Sequence, residues 1–142
     1  MIQSSQILAQ QAEVEIMFHQ TEPLHVWGDE FKVEEVVTNY LSNAIHHAEG
    51  EKRIDISCVQ KGDKVRVSVF NTGNPIPEED VDNIWIKFYK VDKARTREYG
   101  GSGIGLSIVR AIMDSFHQKC GVINHEDGVE FWFELETNNG NF

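Results

Sequence analysis

"GGSGIGLSIV", residues 100–109, sets glycine at 101, 103 and 105 and then runs straight into apolar residues. Glycine weakens any regular element it occupies, so three in strict alternation need a reason. Two physical reasons exist: backbone angles closed to other residues, or main-chain N–H groups pressed against a ligand. A flexible surface loop is the plain alternative. The stretch lacks the Lys-Ser/Thr ending of a P-loop, and no acidic residue at a further strand end supports a dinucleotide fold. It does open a helix, and a helix N-terminus offers free N–H groups and a dipole that favour phosphate.

The residues just before it are cationic. Lys87, Lys90, Lys93, Arg95 and Arg97 lie within eleven residues that hold one acid, Asp92, and the whole chain has only 13 Lys and Arg. The chain otherwise carries a net charge of −10, which argues against nucleic acid or anionic lipid as its main partner. An acidic protein that gathers its cations beside a glycine loop is placed to meet a smaller anion. A solvated basic loop would look the same in isolation.

At 142 residues, 40% hydrophobic and 25% charged, the chain suits one soluble globular domain with a real core. It contains no run of ~20 apolar residues and no signal peptide. Cys58 and Cys120 have no second cysteine near them, so neither a zinc site nor a disulfide framework is suggested, and a reducing, cytoplasmic setting is the default.

Residues 1–12 show no clear period and read as a linker remnant, and the Asn/Gly-rich tail 137–142 as a frayed end. "EVEIMF" (13–18) and "HVWGD" (25–29) read as short strands about a turn at Pro23. A helix is expected from about Glu30 to Ala48 with Asp29 as N-cap, its apolar stripe running from Val33 through Val36, Tyr40, Leu41, Ala44 and Ile45. "RIDISCV" and "KVRVSVF" alternate apolar and polar residues about Gly62 and form a hairpin. "NTGNPIP" (71–77) is irregular. A helix near Glu78–Trp85 and another over 104–116 follow, and "GVINH" and "VEFWFEL" make a second hairpin turning at Asp127-Gly128. Neighbouring strands are expected to pair antiparallel. The fold class is therefore α/β: a two-layer sandwich whose mixed, mostly antiparallel sheet is covered on one face by helices.

On the first long helix Glu35, Asn39 and Asn43 are spaced i, i+4, i+8 and share a face, which His46 joins. Such a row is commonly just a solvent face. Asparagine, however, is a poor residue for an exposed helix interior, and two amides one turn apart can hold an oxygen-liganded cation such as Mg²⁺. Asn71 ends a strand, at the sheet edge, where an amide can read a base as asparagine reads adenine; a plain Asn-Thr-Gly-Asn-Pro turn is the alternative.

In their order these stretches resemble the catalytic, ATP-binding domain of a sensor histidine kinase, in the superfamily of gyrase, Hsp90 and MutL. "NYLSNAIHHA" (39–48) is similar to the family's N box, "NTGNPIP" to its G1 box, "IWIKFYKVD" (84–92) to its F box and "GGSGIGLSIV" to its G2 box. The resemblance spans roughly 13–136 within a single domain of residues 1–142. It implies the Bergerat-type ATP-binding fold, with ATP and Mg²⁺ as ligands. It implies that Asn43 ligates Mg²⁺ and that Asn39 helps hold the metal–phosphate unit. Asn71, Gly73 and Ile76 belong to the adenine pocket, and His46 and His47 to the nucleotide side of the helix. Trp85 and Phe88 anchor the base of a lid that contains Tyr89, with Lys90 and Arg97 as its phosphate-facing cations. Gly101, Ser102, Gly103, Ile104, Gly105 and Leu106 fold over the phosphates.

Four positions depart from the pattern. Asn71 stands where an aspartate is usual, Pro75 where the second G1 glycine is usual, His46 where a Lys or Arg is common, and Trp85 where a Phe is usual. None of the six histidines has the H-[E/D]-x-x-[T/N]-P context of a phosphoacceptor. The expectation is thus a catalytic domain, monomeric in isolation, that serves a phosphoacceptor dimerisation domain of the same parent protein. Sensor and membrane segments are expected upstream, and a response regulator downstream. Its rivals are an anti-sigma-factor-like serine kinase, against which the F box speaks, and a nucleotide-free interaction module.

Overall fold

Asp29 starts the first helix, α1 (Glu30–His47), by accepting hydrogen bonds from the N–H groups of Phe31 at 2.9 Å and Lys32 at 3.1 Å. Such a cap contributes about 0.5–2 kcal/mol, and it fixes where the apolar stripe begins. Val36, Tyr40, Leu41, Ala44 and Ile45 then recur at helical spacing and are all buried. In this computed structural model the described residues are 15–19, 29–86 and 105–136. The expected linker 1–12, strand residues 25–28, lid, most of the glycine loop and the tail lie outside them.

The strands are β1 (Glu15–His19), β2 (Arg53–Lys61), β3 (Lys64–Thr72), β4 (Cys120–His125) and β5 (Gly128–Glu136). They form one sheet in the order β1-β2-β3-β5-β4. The hairpins β2–β3 and β4–β5 pair antiparallel, as their alternation predicts, and β5 joins β3 antiparallel with Val69 opposite Phe131. Gly62, at φ 62°, supplies the left-handed residue of the first hairpin turn.

Two expectations fail. β1 pairs with β2 in parallel, from Glu15 opposite Arg53 to His19 opposite Ser57. Helix α1 lies between them in the chain, and a crossover through a helix brings the chain back in its original direction. Asn71, expected at the sheet edge, sits near the end of β3, which is the central strand.

The helix expected over 78–85 is also absent. A 3₁₀ turn at Glu78–Asp80 is followed by further turns up to Trp85. Three consecutive acids open that stretch and Ile84 is its single buried residue, so it has no apolar stripe to offset the cost of helix nucleation. The last helix, α2 (Gly105–Ser115), buries Val109, Ile112 and Met113.

Both helices contribute to one core with the inward row of the sheet, which includes Ile54, Ile56, Val69, Phe131, Phe133 and Leu135. Tyr40 is its centre. The ring lies 5.5 Å from that of Phe131 and 6.0 Å from that of Phe133, and its hydroxyl donates to the Trp132 carbonyl at 2.9 Å. Burial, with the neighbouring Cys120 thiol, pushes this phenol far above its usual range, so it remains a neutral donor.

On the sheet face turned away from the described helices Arg66 sits 3.9 Å over the Trp132 ring and pairs with Glu134 at 3.0 Å. Gly121 lies under that indole: a Cβ there would come within 2.6 Å of it. On that face Arg66, Trp132 and Glu134 thus pack against one another.

Candidate nucleotide-binding site

Asn39 and Asn43 fall on the side of α1 between its buried stripe and solvent, and both are half-buried. Asn39 donates its Nδ2 to the Glu35 carbonyl at 2.8 Å, one turn back along the helix. That bond fixes the amide's rotation. Its oxygen faces the start of α2, where a Cβ on Gly105 would lie 3.1 Å from Asn39 Oδ1. The Asn43 side chain, one turn further on, makes no hydrogen bond to a described residue. The Asn39 amide oxygen thus stands beside the N-terminus of an 11-residue helix, where first-turn N–H groups lack intrahelical partners.

His46 is half-buried, and burial holds its imidazole below the ordinary value of 6.5. It is therefore neutral at pH 7 and does not replace the Lys or Arg expected there. His47 approaches the strand end through its backbone. A Cβ on Gly73 would meet the His47 carbonyl oxygen at 3.1 Å and the Asn71 amide nitrogen at 3.7 Å. Gly73 itself has φ +146°, a conformation that side chains rarely adopt.

Asn71 is 3% exposed and donates its Nδ2 to the Thr72 carbonyl at 3.1 Å. Its side-chain oxygen has no partner among the described residues, and a buried acceptor left open is uncommon in a folded protein. The Glu49 N–H donates to the Thr72 carbonyl at 2.8 Å, and the Gly73 N–H to the Asp127 carbonyl at 3.1 Å. The end of β3 is thereby held from both sides, by the exit of α1 and by the β4–β5 turn. An open cleft of about 410 Å³ beside Gly73 carries the carboxylates of Glu49, Glu51 and Asp127, whose charge would repel phosphate.

Of the residues singled out from the sequence, Asn39 and Gly105 are neighbours, and Asn71, Gly73 and His47 form a second group. Ile76 and Leu106 both pack against the core. Trp85 does too, with its ring edge-on to Phe131 at 6.0 Å and Arg110 5.8 Å over its face. Lys90, Arg97, Phe88, Tyr89, Gly101, Ser102, Gly103 and Ile104 lie outside the described residues.

Asn124 escaped the sequence reading. It donates to the Ile76 carbonyl at 2.8 Å and accepts from the Ile76 N–H at 2.9 Å. The available signal was its place in the row Cys120, Val122, Asn124, where a polar residue interrupts two apolar ones.

Residues 28–139 match the family described as histidine kinase-, DNA gyrase B- and HSP90-like ATPase. The sensor protein IrlS of Burkholderia pseudomallei is 36% identical over 130 residues, which is 90% of this chain and 27% of that protein. The sensor protein VanS of Enterococcus faecium is 38% identical over 119 residues, 84% of this chain and 31% of that protein. The chain thus spans less than a third of the length of either curated relative. The nucleotide-free catalytic domain of histidine kinase ThkA superposes with a TM-score of 0.80 at 33% identity, covering 95% of this chain and 89% of that one. ThkA in complex with the response regulator protein TrrA gives 0.77 at 31% identity, with coverages of 95% and 39%. Full-length ShkA in complex with AMPPNP gives 0.79 at 25% identity, with coverages of 95% and 28%.

Proposed function

Because the chain belongs to the histidine kinase-, DNA gyrase B- and HSP90-like ATPase family, we propose that it is the ATP–Mg²⁺-binding catalytic domain of a sensor histidine kinase. In this reading it donates the γ-phosphate of ATP to a histidine on a separate dimerisation domain of its parent protein. That parent is anchored in the cell membrane and passes the phosphoryl group to a response regulator.

The residues present fit both ligands. The open, buried oxygen of Asn71 is an acceptor that the exocyclic amine of adenine would satisfy, and Gly73 keeps side-chain bulk away from it. The amide oxygens of Asn43 and Asn39 are suitable ligands for Mg²⁺, a cation that keeps phosphate oxygens and water as its other partners. Among the described residues no cluster of three or more His, Cys, Asp or Glu offers an alternative metal site. Bound there, Mg²⁺ supplies charge neutralisation and orientation of the triphosphate.

The rest of the work is done by side chains and backbone. The first-turn N–H groups of α2 receive phosphate oxygens. Lys90 and Arg97, carried before the glycine loop, add positive charge where negative charge develops in the transition state. Position 39 is an amide and cannot take a proton from water, which favours transfer to protein over hydrolysis.

The observation that carries this reading is the approach of the Asn39 amide oxygen to the position a Cβ on Gly105 would take, which sets the asparagine row against the helix that follows the glycine loop. The test is titration of the 142-residue chain with a fluorescent ATP analogue, with and without Mg²⁺, followed by phosphotransfer assays on the full-length parent. Mg²⁺-dependent binding by the chain and acid-labile phosphohistidine on the parent are expected. A chain that binds no nucleotide in Mg²⁺ refutes the proposal.

A further inference from the structure

The run Pro75-Ile76-Pro77 follows the strand end that carries Asn71, and it belongs to no strand or helix. Proline has no N–H, so within these three residues Ile76 carries the single backbone donor. Asn124, 48 residues later on the edge strand β4, takes that donor at 2.9 Å and also donates to the Ile76 carbonyl at 2.8 Å. One side-chain amide thus satisfies both backbone groups of Ile76, as a neighbouring strand would. It is an added rung of sheet reaching a segment that prolines exclude from the sheet.

Among the described residues the segment is otherwise tied at its two ends, and at the far end the Pro77 carbonyl accepts from the Asp80 N–H at 2.8 Å. The Gly73 N–H is bonded to the Asp127 carbonyl at 3.1 Å, and Gly73 at φ +146° turns the chain. Between Gly73 and the 3₁₀ turn at Glu78, the Asn124 pair fixes the height of the backbone and turns the Ile76 side chain onto the core. Asn74 adds only a long contact to Glu49, at 3.4 Å and exposed. Asn71 stands two residues before Gly73, so the position of this segment bears on how a base can approach the open Asn71 oxygen.

We propose that Asn124 is a positioning residue for base selection: through its paired hydrogen bonds to Ile76 it holds the 73–77 segment where adenine, and not guanine, can meet Asn71. This rests on the nucleotide-binding reading above. Asn124 touches no nucleotide in the proposal and acts only through Ile76.

The test compares the wild-type chain with Asn124→Ala, which removes both bonds, and Asn124→Asp, which keeps the acceptor and removes the donor. Each is titrated with a fluorescent ATP analogue, displaced by ATP and by GTP, with and without Mg²⁺. Losing two hydrogen bonds should weaken ATP binding by roughly tenfold in Asn124→Ala and by less in Asn124→Asp. GTP should lose little, so the preference for ATP over GTP narrows in the same order. The ratio of affinities with and without Mg²⁺ should stay at the wild-type value, because the asparagine row is untouched. A merely structural role lowers ATP, GTP and Mg²⁺ responses together with the melting temperature. That result, or an unchanged ATP-to-GTP preference in both variants, overturns the proposal. Failure of the wild-type chain itself to bind nucleotide overturns the underlying reading, and is told apart because it needs no variant. Should Asn124→Ala not fold, the Asn124→Asp preference alone decides.

Discussion

Asn39 and Gly105 face each other across the two helices: the amide oxygen of the first stands 3.1 Å from where a Cβ on the second would lie, so any side chain there would crowd it. Asn39 cannot simply swing away, because its nitrogen is bonded to the Glu35 carbonyl at 2.8 Å. The glycine at 105 is therefore matched to the amide at 39.

Gly105→Ala should separate folding from binding. Alanine is the better helix former by about 1 kcal/mol, and the clash requires a shift of only a few tenths of an ångström, so thermal stability should change by less than about 1 kcal/mol. Affinity for ATP with Mg²⁺ should fall severalfold if, as proposed, the displaced oxygen is the one offered to the metal–phosphate unit. Differential scanning fluorimetry and nucleotide titration on the same sample check both halves.

Asn43→Ala tests the metal directly. The Asn43 side chain makes no hydrogen bond to a described residue, so its loss removes no internal partner, and alanine improves helix propensity by a few tenths of a kcal/mol. The variant should melt at or slightly above the wild-type temperature and should bind ATP equally weakly with and without Mg²⁺. Calorimetric affinity that still rises with Mg²⁺ would remove Asn43 from the metal site.

The pH dependence should carry the signature of His46. In the unfolded chain an ordinary imidazole takes up its proton near pH 6.5, whereas in the folded chain burial delays that uptake to lower pH. Between the two values the unfolded state binds more protons, so stability falls as pH falls. Below the folded value both states are protonated and the loss levels off. The melting-temperature advantage of wild type over His46→Gln should therefore be larger at pH 7.5 than at pH 5.5. An advantage that grows on acidification would mean that the folded state favours the charged ring instead.

Local signals were legible in the sequence, and distant ones were not. Asp29 before a 3.6-residue apolar period, and two alternating runs about Gly62, declare a capped helix and a hairpin from neighbours alone. The parallel β1–β2 pair depends on a crossover that no strand pattern records. At the site, Asn39 and Asn43 stood out because asparagine is costly in a helix, and Gly73 because its backbone needs glycine. Asn124 did not, since its meaning lies in Ile76 48 residues away. Asn71 was legible in kind but misplaced: its strand looked terminal because β5, the neighbour that makes β3 central, comes 56 residues after β3 ends.

Asn71→Asp carries the sharpest test of base recognition. Asn71 is 3% exposed and its nitrogen donates to the Thr72 carbonyl at 3.1 Å. An ionised aspartate has no donor and would set a carboxylate against that carbonyl in a buried place, where leaving a polar group unpaired costs about 1–3 kcal/mol. Burial also raises the carboxyl's proton affinity in the folded state above its unfolded value near 3.9, so the destabilisation grows as pH rises through that window. The nucleotide-free variant should thus melt lower than wild type at pH 8 and approach it at pH 5. Binding should respond differently. The carboxylate accepts from the adenine amine with a charge-assisted bond roughly twice as strong as a neutral one, while losing any donation to a ring nitrogen. These changes oppose each other, and ATP affinity should stay within about tenfold of wild type. Guanine presents a carbonyl at that position. The asparagine amide can flip to meet it with a donor, whereas the carboxylate can only repel it. The preference for ATP over GTP should therefore widen in Asn71→Asp, the reverse of its narrowing in Asn124→Ala. Competition by GTP equal to that by ATP, in wild type and Asn71→Asp alike, would show that Asn71 does not face the base.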